Sequence, residues 1–249
     1  MNIVAIIQAR MNSSRLPGKV LLPLMGKPVL EHVVLRLKHA ATLNNIVIAT
    51  STEVADNAIA LWTQTNNVDY YRGSLNDVLD RYYQAACLYK ADAIVRITSD
   101  CPVIDPYIVD EVVVGFEEGE FDAYSLSGEF PDGLDCQVFS FEAIEKAWKE
   151  ATLPSEREHV GPYIEKHPEL FNLGSLQKFY NLGHLRFTID EGSDYELLQQ
   201  IYNELFDSDY LFVTDDILKL LDRRPELLDI NSQIKRNEGY LKSLEMDNK

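Results

Sequence analysis

The chain has 249 residues, 46% of them hydrophobic and 25% charged, which excludes wholesale disorder and allows a core to be buried without staples. It carries 23 basic against 40 acidic side chains, a formal net charge of −17. That balance excludes general binding to nucleic acid or anionic membrane, which needs a neutralising basic surface.

The Ile- and Val-rich run 2–8 reads as a buried first strand, not a signal peptide, because no basic segment precedes it. It feeds a loop of Arg, Asn, Ser, Pro and Gly that reads as exposed. Pro28 opens a helical stripe to about residue 40, and residues 45–50 (NIVIAT) read as a second buried strand. A helix over 53–66, a short strand over 68–71 and a helix over 75–90 follow, with Gly73 and Ser74 making the turn. Residues 92–98 (DAIVRIT) read as a strand, and Asp105-Pro106 caps a helix to about 118. This alternation predicts βαβ units and a mostly parallel sheet.

The second half is less regular. Strands are expected over 121–126, 134–141 and 185–189, and helices over 141–150, 156–166, 193–206, 214–223 and 232–245. Ser193 with Glu196 has the spacing of a capping box. The stretch 127–184 reads as loop-rich, an insertion for dimer contacts or an acceptor. No apolar run approaches the ~18 residues of a membrane span. Cys87, Cys101 and Cys136 form no CxxC or metal spacing, so a reduced cytoplasmic protein is expected.

The charge is unevenly spread. Residues 1–52 hold Arg10, Arg15, Lys19, Lys27, Arg36 and Lys38 against Glu31 alone, which is +5; the remainder holds 17 basic and 39 acidic groups, which is −22. The basic residues concentrate in QARMNSSRLPGK (8–19), directly after the first strand, where open α/β sheets bind ligands. The forks of Arg10 and Arg15, the mobile charge of Lys19, and the small donors Ser13, Ser14 and Gly18 suit a polyphosphate. Neither a Walker A loop nor a GxGxxG fingerprint is present.

Asp100 and Asp190 each follow an expected strand, so both can face one rim and hold a hard divalent cation. A helix cap or turn is the competing use of either. Arg72-Gly73-Ser74 precedes Asp77 and Arg81, a pair spaced for an i,i+4 contact. Arg157-Glu158-His159 lies in an expected helix, where His159 reads as packed or at a dimer interface more readily than as a base. Asp132, Asp135 and Gln137 suit acceptor contacts or plain surface polarity. Cys101 has no His nearby in sequence, and no GxSxG elbow occurs.

Residues 8–37 resemble the N-terminal signature of the cytidylyltransferases that activate sugar acids, including the acylneuraminate and 3-deoxy-manno-octulosonate enzymes. RGSLNDVLDRYYQAA (72–86), RITSDCPVIDP (96–106), residues 131–144, REHVGPYI (157–164) and LRFTIDEGSDYELL (185–198) extend the likeness over about 3–206. It is strongest to the spore coat polysaccharide biosynthesis (SpsF-like) branch. The resemblance implies an α/β, Rossmann-like three-layer sandwich of the nucleotide-diphospho-sugar transferase type. It implies one nucleotidyltransferase domain over 1–249, with an acceptor or dimerisation segment at 127–184.

The implied reaction transfers CMP from CTP to a sugar acid of 2-keto-3-deoxy or nonulosonic type, releasing pyrophosphate, with Mg²⁺ as cofactor. Arg10, Arg15 and Lys19 would be catalytic. Gln8, Ala9, Ser13, Ser14, Arg72 and Asp100 would join them in binding nucleotide. Asp132, Asp135, Gln137 and Arg157 would meet the acceptor, and Asp100 and Asp190 the metal. A homodimer is expected, with no nucleic-acid or membrane partner. Alternatives are a sugar-1-phosphate nucleotidyltransferase, a non-catalytic sensor, or a glycosyltransferase using Asp207-Ser208-Asp209 as its metal motif.

Overall fold

Alternating apolar residues on a buried strand must pack on both faces of a sheet, and the first strand does so. A computed structural model describes residues 1–236 and 238–247. In chain order the elements are β1 (Ile3–Gln8), the hairpin β2 (Pro23–Leu24) and β3 (Lys27–Pro28), α1 (Val29–Leu37), β4 (Asn45–Ser51), α2 (Asn57–Thr65) and β5 (Asp69–Gly73). Then come α3 (Val78–Tyr89), β6 (Ala93–Thr98), α4 (Pro106–Glu118), β7 (Ala123–Gly128), β8 (Gln137–Ser140) and α5 (Phe141–Glu150). The chain continues through α6 (Pro154–His159), α7 (Pro162–Lys166), β9 (Leu173–Phe179), α8 (Gly192–Leu205), α9 (Thr214–Arg223) and α10 (Glu238–Asp247).

Among the described residues seven strands form one sheet in the order β5-β4-β1-β6-β8-β7-β9. The run β5-β4-β1-β6 is parallel, β8 is antiparallel to both its neighbours, and β9 is parallel to β7. Ile3, Ala5 and Ile7 of β1 pack on the side of α1, α2 and α4, whereas Val4 and Ile6 pack on the side of α3 and α5. Three layers result, as expected for an α/β sandwich. A third apolar cluster joins α8 and α9 to Leu185, Phe187 and Ile189. The cap at Asp105 forms as expected: its Oδ1 accepts from Tyr107 N–H (3.1 Å).

Four expectations change. The capping box expected of Ser193 and Glu196 falls instead to Glu191 and Asp194, whose Oδ2 accepts from Glu191 N–H (3.0 Å), so Ser193 lies inside α8. The stretch 127–184 is woven into the main sheet through β8 and β9. β9 escaped notice because its sequence, LGSLQKF, is half polar and only partly buried. The helix expected over 156–166 breaks at Val160-Gly161, ahead of Pro162. Residues 185–189 alternate like a strand but make only an isolated bridge, Arg186 with Asp132. The alternation has a different use: Leu185, Phe187 and Ile189 point into the helical cluster, while Arg186 and Thr188 line a cavity.

Candidate functional site

β1 and β6 end side by side, with Gln8 paired to Thr98. The loop after β1 is held by its backbone. Gly18, at φ 75°, donates to Met11 O (2.8 Å), a conformation glycine takes without Cβ strain. Met11 N–H in turn donates to Asp56 Oδ1 (2.7 Å), and the other oxygen of Asp56 takes the Ser51 hydroxyl. Asp56 is 1% exposed. It ties the basic loop to the end of β4, and nothing in the local sequence distinguishes it from a helix-start acid.

The loop delivers Lys19 on a single 3-10 turn, Lys19–Leu21. Its Nζ lies 2.5 Å from Asp100 Oδ2 and 2.7 Å from Asp190 Oδ1. The two aspartates meet because Ile189 N–H donates to the Asp100 carbonyl (2.8 Å). Lys19 is only 8% exposed, which corrects the expectation of an exposed loop at this position. Burial alone would lower its pKa, but Asp100 and Asp190 outweigh that and raise it. Burial likewise opposes ionisation of Asp190, yet Lys19, Arg15 and Arg186 hold its carboxyl down at about 2.

Arg15 reaches Asp190 Oδ1 at 2.9 Å, and Arg186 reaches Asp190 Oδ2 at 2.6 Å. Arg186 also binds Asp194 (2.9 Å) and Asp132 (2.5 Å), and burial does not prevent these carboxylates from raising its pKa. Asp194 is fully buried and accepts further from Asn231 Nδ2 and from the backbone N–H groups of Asp190 and Glu191. Gly133 allows Asp132 to reach this network: a Cβ there would lie 2.7 Å from the backbone of Phe187 and Thr188. Burial and the neighbouring Asp135 charge push Asp132 up to about 6, against the pull of Arg186 and Arg236.

Two cavities adjoin. One of about 210 Å³ is lined by Ala9, Arg10, Ser13, Ser14, Lys19 and Arg81. One of about 420 Å³ is lined by Arg96, Asp132, Asp135, Gln137, Glu165 and Arg186. Gln8, Arg15, Asp100, His159 and Asp190 belong to both walls. The first residues of α10 cover them: Glu238 lies 3.6 Å from Arg15, and Tyr240 sets its ring against His159 at 5.1 Å. His159 Nε2 lies 2.9 Å from Ser243 Oγ, and burial lowers its pKa. It is packed, as expected, although it also faces both cavities.

Other residues land elsewhere. Arg72 is not brought to either cavity. It lies over the β4 end, donating to Ser51 O (2.8 Å), Asn57 Oδ1 (2.8 Å) and Glu53 O (3.0 Å). Arg157 also lies outside the cavity walls. Its guanidinium grips Asp77 (2.5 Å) at the start of α3 and the Trp148 carbonyl (2.7 Å). Asp77 is therefore taken by Arg157 and not by Arg81, contrary to the i,i+4 expectation. Arg36 is buried on Ile104 O and Phe212 O, and Lys27 pairs with Glu31, so the +5 segment sends only part of its charge to the loop. The Cys101 thiol is buried and pushed well above its ordinary pKa, which opposes a thiolate nucleophile. Asp207 and Asp209 are exposed past α8 and line neither cavity.

Asp100 and Asp190 are the metal residues that the resemblance implies, and their oxygens converge on one point, now held by Lys19. Among the described residues no group of three or more His, Cys, Asp or Glu gathers as a metal centre. Two carboxylates nonetheless suit a cation whose remaining ligands are phosphate oxygens and water. No helix among the described residues is long and apolar enough to cross a membrane.

Comparison with known proteins shows the family of the chain. A family described as cytidylyltransferase matches residues 4–222. The spore coat polysaccharide biosynthesis protein SpsF of Bacillus subtilis is 31% identical over 233 residues, covering 90% of this chain and 96% of its own. A cytidylyltransferase structure from Leptospira borgpetersenii superposes with a TM-score of 0.88 at 33% identity, covering 95% of this chain and 100% of the other. CMP:2-keto-3-deoxy-manno-octonic acid synthetase complexed with CTP shares the fold, with a TM-score of 0.63 at 17% identity, over 82% of this chain and 99% of that one. A family match spanning most of the chain, with relatives aligned nearly end to end, makes this chain a member of the cytidylyltransferase family.

Proposed function

We propose that this protein transfers CMP from CTP to a sugar acid of 2-keto-3-deoxy or nonulosonic type, releasing pyrophosphate, for surface polysaccharide or glycan synthesis. One observation carries the reading: a basic cavity and a larger polar cavity share a wall at Asp100 and Asp190, the arrangement a two-substrate transfer needs. The smaller cavity takes the nucleotide, through Gln8, Ala9, Arg10, Ser13, Ser14, Arg15 and Lys19. The larger takes the acceptor, with Asp132, Asp135 and Gln137 on its wall.

In this reaction an acceptor hydroxyl oxygen bonds to the α-phosphorus, and the bond from that phosphorus to the β-phosphate oxygen breaks. Pyrophosphate leaves, and the hydroxyl proton is lost to solvent. Arg10, Arg15 and Lys19 hold the triphosphate and stabilise the charge that develops on the leaving group. Asp100 and Asp190 would hold Mg²⁺, whose chemistry is neutralisation and orientation of phosphate oxygens. Arg186 fixes the Asp190 carboxylate and spans to Asp132, so the two cavities are positioned by one guanidinium. The reading includes a single domain and a homodimer working in the cytoplasm.

A thermal-shift series with CTP, UTP, GTP and ATP in the presence of Mg²⁺ tests the nucleotide assignment, because a ligand that binds only the native state stabilises it. Selective stabilisation by CTP is expected. Equal responses to all four, or none, would defeat the assignment.

A further inference from the structure

α10 lies over the two cavities, held by contacts that a ligand can undo. It has ten residues, too few for a helix to stand by itself in water. Gly239 in its first turn costs backbone entropy, and Glu245 and Asp247 in its last turn oppose the helix dipole. Docking must supply the difference, yet Leu241 is 57% and Met246 56% exposed. Polar contacts tie α10 to α6. Ser243 Oγ donates to Glu158 Oε2 (2.7 Å) and lies 2.9 Å from His159 Nε2. Asp247 accepts from the Ser155 N–H (2.9 Å) and hydroxyl (2.5 Å), capping α6 from outside it. With those two apolar side chains in water and polar groups as anchors, α10 opens at a low free energy.

The chain ahead of α10 is fixed more firmly. The Arg236 guanidinium lies 4.4 Å over the Phe130 ring and donates to Phe130 O (2.8 Å) and Asp135 Oδ1 (3.2 Å). Asn231 is buried on Asp194 and Arg186 O. α10 thus has a firm root on the wall of the larger cavity and a loosely tied far end. Next to that root, Glu238 Oε2 lies 3.6 Å from Arg15 Nη1, with Glu191 at 3.9 Å, while Asp190 takes Arg15 Nη2 at 2.9 Å. Three carboxylates therefore surround the guanidinium assigned to the triphosphate. The backbone of Asp190 and Glu191 is pinned by Asp194, whereas Glu238 rides on α10 and can leave with it. Phosphate oxygens arriving at Arg15 would meet Glu238 as a like charge, and Gly239 stands on the walls of both cavities.

Resting on the assignment of the triphosphate to Arg15, we infer that α10 is a strap that closes the empty site. Glu238 stands in for phosphate on Arg15, and an incoming polyphosphate displaces it and undocks α10. Binding and undocking are then linked, so whatever weakens the docking of α10 tightens the ligand.

Hydrogen exchange of the full chain, read by mass spectrometry, tests this with CTP and Mg²⁺ and separately with inorganic tripolyphosphate. Amides of 238–247 should exchange at least about five-fold faster with either ligand, the low end of a coupling between two sites. Amides of 9–21 should slow. Calorimetric titration of Glu238→Gln should give binding of both ligands tighter by about two- to five-fold, the worth of a partly exposed ion pair. Asp247→Ala, outside both cavity walls, should tighten them too, through docking alone. The wild-type exchange decides the matter even if a variant fails to fold. Slower exchange of α10 with ligand would reveal a lid that closes on its ligand and overturns the inference. Tighter binding by Glu238→Gln with unchanged wild-type exchange of α10 overturns it in favour of a plain charge effect. Release of α10 by tripolyphosphate in a protein that ignores CTP defeats the cytidylyl reading and leaves the strap standing. Binding of neither ligand defeats both.

Discussion

The Lys19 ammonium lies 2.5 Å from Asp100 Oδ2, joining the loop after β1 to the end of β6 across 81 positions of sequence. Asp190 completes the contact at 2.7 Å. Removing Lys19 therefore does two things. Turnover by Lys19→Ala should fall by about 10²–10³, the loss seen for a transition-state donor. Stability should also fall by ~1–3 kcal/mol, less than the ~3–5 kcal/mol of a fully buried broken pair because Asp100 and Asp190 are about a fifth exposed. Single-turnover kinetics and urea denaturation read the two effects separately. Unchanged turnover would remove Lys19 from the site.

Asp100 is the carboxylate with an oxygen engaged by little else, since among the described residues its Oδ1 meets only the Cys101 thiol, at 3.6 Å. Chelation with EDTA should stop turnover and added Mg²⁺ should restore it. Asp100→Asn should raise the Mg²⁺ concentration for half-maximal rate by at least about ten-fold, the lower end of what loss of even an outer-shell partner costs. A magnesium dependence identical to wild type would contradict the assignment.

Asp132 gives a signed pH dependence. Its carboxyl sits at about 6 in the fold against an ordinary 3.8, so between those values the native state holds a proton that the unfolded chain has lost. The contribution of Asp132 to stability therefore declines as pH rises from about 4 to about 6. The melting temperature of wild type minus that of Asp132→Asn should decrease across that window. A difference that is flat or rises would show that Arg186 and Arg236 dominate the carboxyl instead.

Arg157 binds Asp77 and the Trp148 carbonyl, joining α6 to the ends of α3 and α5. Its position predicts that Arg157→Met lowers the melting temperature while leaving the KM for the acceptor within about two-fold, the outcome for a residue that makes no uniform-binding contact. A rise in acceptor KM with unchanged stability would restore it to the acceptor wall.

The parallel half of the sheet was legible because β1, β4 and β6 are apolar runs bounded by clear turn residues, and buried parallel strands have that composition. Arg10, Arg15 and Lys19 were legible as a cluster because they are close in sequence. Asp100 and Asp190 could be nominated as strand-end acids and by resemblance, but not as neighbours. Their meeting depends on the bond from Ile189 N–H to Asp100 O, which no local pattern records. Arg186 and Asp194 were missed for a related reason. Each is an ordinary polar residue until residues 185–189 turn their apolar side into the α8–α9 cluster and leave the polar side facing Asp132. Arg72 and Arg157 lie away from both cavities, and an arginine at a strand end or in a motif looks the same in sequence whether it grips a ligand or a carbonyl.

The central claim is transfer to an acceptor, and pyrophosphate release measures it directly. Purified protein with CTP, Mg²⁺ and a panel of 2-keto-3-deoxy and nonulosonic acids, sugar-1-phosphates and no-acceptor controls separates the alternatives. Release of pyrophosphate that requires both CTP and a sugar acid, with formation of the CMP-sugar in equal amount, is the predicted result. Binding of CTP with no pyrophosphate from any acceptor, or release that requires a sugar-1-phosphate instead, would contradict it.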